Sequence, residues 1–370
     1  MMCVKGRQMK TTVKWAALVA AALTLGGCHP SAPLKVKPLT VATMNDPAPE
    51  NRKALTKFLK TQMVHAGGID TNYQDTKQRQ VAIATGHEWL SESTGIWLQY
   101  LALTRQFAAF DRAYRAAQKT FGQAGMFAYR FDPRDQRRFP VNATLDDLRI
   151  IRALLTADQL SGSDRYLKAV QAHVSALVKG PLKAGELRDY YDPQLKKAAT
   201  TSSLAYYDLE VLQQITPKWA AKQLQVVQQG FLGAHFPLYA AAYDWQTKQY
   251  SRQSLNTSEA LETLLHLAQV GKLKASSRQW LQTRVTNGDL VNRYAVSGRA
   301  MTQAQSPGSY ALAAQIFALL KDKEHYSQAM ALVWAAQIHA KGSPMNGAIG
   351  LLSTKQADSY TNLTALIAAQ

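Results

Sequence analysis

Between residues 50 and 370 apolar side chains recur at the three- and four-residue spacing of amphipathic helices, while β-branched alternating runs are scarce. Leu55, Phe58, Leu59 and Met63 mark a helix over 51–64. Ile96, Trp97, Tyr100 and Leu101 mark one over 89–103, and Phe110, Tyr114 and Ala117 one over 107–121. Leu148, Ile151, Leu154 and Leu155 predict a helix over 145–160. Further helices are expected over 164–178, 203–215, 220–229, 258–270, 275–282, 308–320, 324–339 and 360–369, separated by loops with Gly, Pro, Asn and Asp. Residues 126–131 and 290–294 read as short strands or loop edges. No fixed-period motif recurs, which argues against tetratricopeptide-type arrays. The pattern predicts a single all-α domain. A closed toroid of paired helices would bury this many one-sided helices, and a helical solenoid fits the composition equally.

The region before this domain has another character. Lys5, Arg7, Lys10 and Lys14 precede an apolar run from Trp15 to Leu25, which is the length of a signal peptide's core and short for a membrane span. The run ends in Leu25-Gly26-Gly27-Cys28, the pattern of a bacterial lipobox. Residues 1–27 are therefore expected to be a lipoprotein signal peptide. Cys28 is the expected lipidation site, placing the chain on the extracellular face of the bacterial membrane, anchored and not spanning. Five prolines between residues 29 and 49 forbid a helix there, so 28–49 reads as lipidated Cys and semi-extended tether, with the domain over 50–370.

Cysteine chemistry in the exported part is excluded, because the chain has two cysteines, Cys3 and Cys28. The formal charge is +18, of which the four basic residues before Trp15 supply a part. Such a charge favours anionic surfaces. Its Lys and Arg residues are scattered, without a dense run, and the chain is read as exported, so no nucleic-acid partner is expected. The eight histidines show no His-Glu-x-x-His and no pair at metal-ligand spacing, and no phosphate loop, dinucleotide fingerprint or Gly-x-Ser-x-Gly occurs. No metal and no cofactor are expected.

Two segments could carry chemistry. In His87-Glu88-Trp89-Leu90-Ser91-Glu92-Ser93-Thr94-Gly95-Ile96-Trp97-Leu98-Gln99-Tyr100, a carboxylate among small residues opens a helix carrying two aromatics. Glu92 has room beside it for a ligand, although an acid there also suits the helix dipole. In Asn142-Ala143-Thr144-Leu145-Asp146-Asp147-Leu148-Arg149-Ile150, adjacent aspartates open an apolar helix. Neighbouring like charges raise one pKa, as tuned sites require, while Thr144 and Asp147 also fit a capping-box variant.

Together the segments resemble glycoside hydrolase family 8, in which Ser-Glu-Gly supplies the general acid and Ala-Thr-Asp-x-Asp-Leu-x-Ile-Ala a sugar-binding aspartate. Ser91-Glu92 matches the first, and Asp147-Leu148-Arg149-Ile150 the second half of the other. Ser93 replaces the glycine, Leu145 the first aspartate unless Asp146 takes its role, and Ser258-Glu259-Ala260-Leu261-Glu262 stands for the family's Tyr-Asp-Ala-x-Arg. Family 126 and the cyclic-diguanylate-linked exopolysaccharide glycanases are similar in layout. The resemblance implies an (α/α)6 six-hairpin toroid, Glu92 as acid, and inversion at a polysaccharide, whether β-glucan, α-glucan or exopolysaccharide. An inverting pair stands about 6.5–9.5 Å apart, with water between. The base stays open among Asp146, Asp147 and Glu259.

Trp97, Tyr100, Tyr206, Tyr207, Trp245 and Tyr310 are candidate sugar-stacking residues. Two other readings compete with a monomeric, membrane-anchored glycanase. One is a non-catalytic glycan-binding lipoprotein. The other is a lyase with a basic cleft for uronates, recruiting Tyr206, His235 and Asn256.

Overall fold

The computed structural model describes residues 36–76, 79–80 and 83–370. The expected signal peptide over 1–27 and Cys28 lie outside them. Among the described residues are twelve α-helices: α1 Pro49–Phe58, α2 Ser91–Leu103, α3 Phe107–Phe121, α4 Thr144–Ser161, α5 Leu167–Leu177, α6 Leu209–Ile215, α7 Ala220–Gln229, α8 Thr257–Gln269, α9 Ala275–Asn287, α10 Pro307–Leu319, α11 Lys323–Trp334 and α12 Ser359–Ala368. No helix of the described residues is long and apolar enough to cross a membrane.

Burial divides the helices by parity. α10 buries ten of 13 residues and α9 three of 13; α4 buries 13 of 18 and α3 five of 15. An even-numbered helix is covered nearly all round, while α3 buries the single stripe Phe110, Tyr114, Ala117 and Phe121. Contacts explain this. α2 packs on α4, α4 on α6, α6 on α8, α8 on α10, α10 on α12 and α12 on α2. The odd-numbered helices pack outside them, α3 on α2, α5 on α4, α7 on α6, α11 on α10 and α1 on α12.

The two kinds of connection differ. An even helix reaches the next odd one through short turns such as 104–106 and 320–322. An odd helix returns through long segments, for example 122–143, 178–208 and 230–256. Three of these hold a hairpin of one design. Asp132, Asp192 and Asp244 each accept from the backbone N–H two residues on, and the latter two also from the third. Gln136, Lys196 and Lys248 follow with positive φ of 50–57°, and two-residue antiparallel pairs close each hairpin. This short aromatic-Asp-x-x-x-polar repeat, Phe131-Asp132, Tyr191-Asp192 and Tyr243-Asp244, escaped the sequence reading.

Two expectations change. Within the expected tether, residues 36–48 form no helix, as their prolines require, but they are packed on the domain. Leu39 is buried, and its backbone N–H and C=O both bond the Gln159 side chain. The N–H groups of Lys37 and Thr40 donate to Gln214 and Glu210. The strap crosses α4 at Gln159 and α6 at Glu210 and Gln214, whose side chains supply its partners. The Thr144–Asp147 capping box does not form. Ala143 is the N-cap residue, Thr144 Oγ1 donates to Arg188 O, and Asp147 turns toward Phe127 and Asn142.

Candidate active site

The N-termini of the even-numbered helices converge where the long connections are, and serines stitch them together. Ser91 Oγ donates to Asp146 Oδ2 at 2.8 Å, joining α2 to α4. Ser93 Oγ meets Ser359 Oγ at 2.8 Å, joining α2 to α12, and Ser258 Oγ meets Ser309 Oγ at 3.2 Å, joining α8 to α10. Ser93 therefore points to a neighbouring helix, which explains how it replaces a glycine without filling the space beside Glu92.

Glycine decides one approach. A Cβ on Gly95 would stand 2.9 Å from Arg149 Cβ, so α2 and α4 can touch there only because Gly95 has none. That contact brings Arg149 under Glu92. Arg149 Nη1 lies 3.3 Å from Glu92 Oε2 and 3.2 Å from Asp146 Oδ1, and Nη2 lies 2.8 Å from Glu262 Oε1. Tyr360 OH donates to Glu262 Oε1 at 2.9 Å.

Glu92 keeps 28% of its side chain open to solvent. Loss of hydration nevertheless raises its carboxyl to about 7; Arg149 opposes this, and Asp146, Glu262 and Asp358 reinforce it. Burial also raises Asp146, against Arg149 and the Ser91 hydrogen bond. Glu259 reaches solvent from the first turn of α8; it is raised by loss of hydration in the site and by the charges of Asp189 and Glu262.

Asp189 is a site residue that the sequence reading missed. Its carboxylate accepts from Ser203 N at 2.5 Å and Thr201 Oγ1 at 2.6 Å, and its backbone C=O accepts from Thr144 N at the start of α4. Burial raises its pKa against those hydrogen bonds. Tyr206 stands among these groups, its phenol pushed up by burial and by Asp146, Asp189 and Glu92. No local motif marks Asp189; only the packing of 188–203 on α4 brings it in.

Other expected residues lie elsewhere. Asp147 is 1% exposed, accepting from Phe127 N at 2.9 Å and Asn142 Nδ2 at 2.6 Å, and burial raises it to about 8. It ties a loop to α4 and faces no open space, which removes it as a base. Trp97 and Tyr100 are buried and stack on each other with ring centroids 5.1 Å apart. Tyr207 is fully buried, and Tyr310 is buried with its OH donating to Gln305. These four are core residues with no face for a sugar. Trp245 is half-buried beside Arg188 and Lys222, its Nε1 donating to Ser202 Oγ. Asn256 caps α8 through Glu259 N and His235 lies exposed in a loop, so neither supplies a lyase centre. Among the described residues no group of three or more His, Cys, Asp or Glu could hold a metal ion.

A carboxylate-lined mouth with one shared guanidinium suits proton transfer to and from a neutral substrate, and known folds can be set beside that geometry. No family model matches the chain. The structure of an α-amylase from Clostridium perfringens superposes with a TM-score of 0.79 at 28% identity, covering 86% of this chain and 97% of that one. A family 8 endoglucanase from Klebsiella pneumoniae superposes with a TM-score of 0.59 at 16% identity, over 85% and 97%. The chain shares its fold with these two glycoside hydrolases. PssZ from Listeria monocytogenes is similar in fold, with a TM-score of 0.67 at 18% identity over 90% and 97%. In sequence, YdaJ of Bacillus subtilis (strain 168), a protein named as a lipoprotein, is 26% identical over 290 residues, covering 76% of this chain and 78% of that one.

Proposed function

We propose that this chain is a membrane-anchored glycoside hydrolase that cleaves a polysaccharide by general acid–base chemistry with inversion, on an (α/α)6 six-hairpin toroid. The observation that carries this is Glu92: a carboxyl raised to about 7, open to solvent, at the mouth formed by the even-numbered helices. A general acid must hold its proton at working pH and still reach substrate. Glu92 then protonates the glycosidic oxygen.

The base acts from the other side. Asp146 shares Arg149 with Glu92 and is suited to binding sugar hydroxyls. Asp189 and Glu259 are not among the ion-pair partners of that guanidinium, and the Asp189 charge raises Glu259. Glu259, which stands where the family motif has an aspartate, is the proposed base, with Asp189 orienting the water. Tyr206 offers a hydroxyl and a ring among them. The exposed apolar side chains Ile83, Leu195, Met301 and Leu351, all on odd-to-even connections, give the rim C–H surfaces for pyranose rings. The lipid on Cys28 and the extracellular placement extend this reading, supported by the lipobox and the likeness to YdaJ.

The test is reducing-end release by residues 36–370, which retain the strap, on α-glucans, β-1,4-glucans, chitosan, xylan and the producing cell's exopolysaccharide. Glu92→Gln and Glu259→Gln are run alongside. Release from one polymer, lost in both variants, is expected. Binding without release from any polymer would replace the hydrolase by a glycan-binding lipoprotein on the same fold.

A further inference from the structure

An arginine beside a proton donor is a chemical contradiction. A cation within hydrogen-bonding distance favours the ionised carboxylate, and an ionised Glu92 has no proton to give. The geometry around Arg149 resolves it. The guanidinium's short bond, 2.8 Å, goes to Glu262, while its approach to Glu92 is 3.3 Å. Glu262 is itself fixed from two sides, since Tyr360 OH bonds the same Oε1 at 2.9 Å and His266 Nε2 lies 3.7 Å from Oε2. Its side chain is 11% exposed, so solvent screens its charge only weakly.

We propose that Glu262, by holding the Arg149 guanidinium off Glu92, is a positioning residue for the proton donor. This rests on the hydrolase reading for its purpose, though not for its physics. Without the Glu262 charge, the fork of Arg149 is left with Asp146 and Glu92 alone, and a guanidinium seeks a short, charge-assisted bond to a carboxylate. The titratable and charged groups acting on Glu92 come from three elements: Arg149 and Asp146 from α4, Glu262 from α8 and Asp358 before α12. Tyr360 and Tyr206 are also close, and burial and the carboxylates around them hold both phenols neutral.

The experiment is a carbon-13 NMR titration of the full chain labelled at glutamate carboxyls, with the Glu92 signal assigned by its absence in Glu92→Gln. Glu262→Gln is expected to lower the Glu92 midpoint by about one pH unit or more. Glu262 also acts on Glu92 directly through its charge, so the deciding quantity is the upward shift caused by Arg149→Gln, which is expected to be larger in the Glu262→Gln background than in the unaltered chain. A midpoint that stays or rises in Glu262→Gln overturns the proposal, as does an Arg149→Gln shift of equal size in both backgrounds. Should Glu262→Gln not fold, Tyr360→Phe loosens Glu262 without removing its charge. A downward shift smaller than one unit supports the proposal there, and an unchanged midpoint overturns it. Because the titration needs no substrate, a chain without glycosidase activity would defeat the hydrolase reading and leave this result legible.

Discussion

Two arginines stand one turn apart on α4 and meet different fates. Arg152 is saturated: its guanidinium forks onto Asp208 at 2.6 and 2.7 Å, reaches Glu210 at 2.9 Å and touches Gln269 at 3.1 Å. Burial pushes the Asp208 carboxyl up, but Arg152, with His266 and the Val211 N–H, outweighs it and holds Asp208 below its ordinary value. Arg149 is spread over Glu92, Asp146 and Glu262, and Glu92 remains near 7. The same cation on the same helix yields a fixed ion pair in one layer and a protonatable acid in the next. What differs is the number of carboxylates sharing it and the closure around them. The Arg152 layer is sealed by the strap, where Thr40 N–H donates to Glu210, while the Arg149 layer opens to solvent at Glu92. A cavity of ≈140 Å³ between them is lined by residues including Gly95, Gln99, Arg149, Arg152 and His266.

The largest effect expected from breaking this contrast is on the closed layer. Asp208→Ala leaves Arg152 buried with one partner carboxylate fewer and should cost about 3–5 kcal/mol in denaturant unfolding. A loss below about 1 kcal/mol would mean the closed layer is no stronger than a surface pair. Asp147→Ala is the next test, because it strands Phe127 N–H and Asn142. A loss of about 1–3 kcal/mol is expected, with the glycan affinity of the folded protein unchanged. A selective loss of affinity would return Asp147 to the site.

The third test concerns pH. The folded Asp147 carboxyl is raised to about 8, above its value in the unfolded chain. Its contribution to stability is thus fully present below the unfolded value, near pH 4, and is lost as pH rises through about 8. Asp147→Asn should flatten that part of the stability–pH curve; an unaltered slope would show that other groups set it. The smallest effect is expected outside the site, at Lys183 and Lys196. Replacing both with Gln should move stability by less than about 0.5 kcal/mol and leave cleavage of neutral glycans unchanged. A loss of cleavage would mean that the basic exterior takes part in substrate capture.

The helices were legible because each must bury a stripe. The expected 107–121 and 220–229 match α3 and α7, and 145–160 differs from α4 by one residue at each end. The expected 275–282 stopped short of Asn287, because polar residues interrupt the apolar spacing of an outer helix. Which helices lie inside was not legible, since that depends on contacts between distant segments. Glu92 and Asp146 were found because they sit beside recognisable motifs. Trp97 and Tyr100 misled for the same reason: an aromatic following a catalytic-looking acid reads alike whether it faces sugar or core. Asp189 and the roles of Arg149 and Glu262 depend on long-range packing that no local pattern encodes.

Everything proposed for the site turns on the protonation of Glu92 during turnover. The measurement is kcat/KM for the glycan cleaved fastest, as a function of pH, for the unaltered chain and for Glu92→Gln. The predicted result is a rate that falls about tenfold per pH unit above about 7, and a variant slower by about 10²–10⁴-fold that lacks this descending limb. A Glu92→Gln variant that keeps the full rate, or that loses rate but keeps the descending limb, would contradict the assignment of Glu92 as the proton donor.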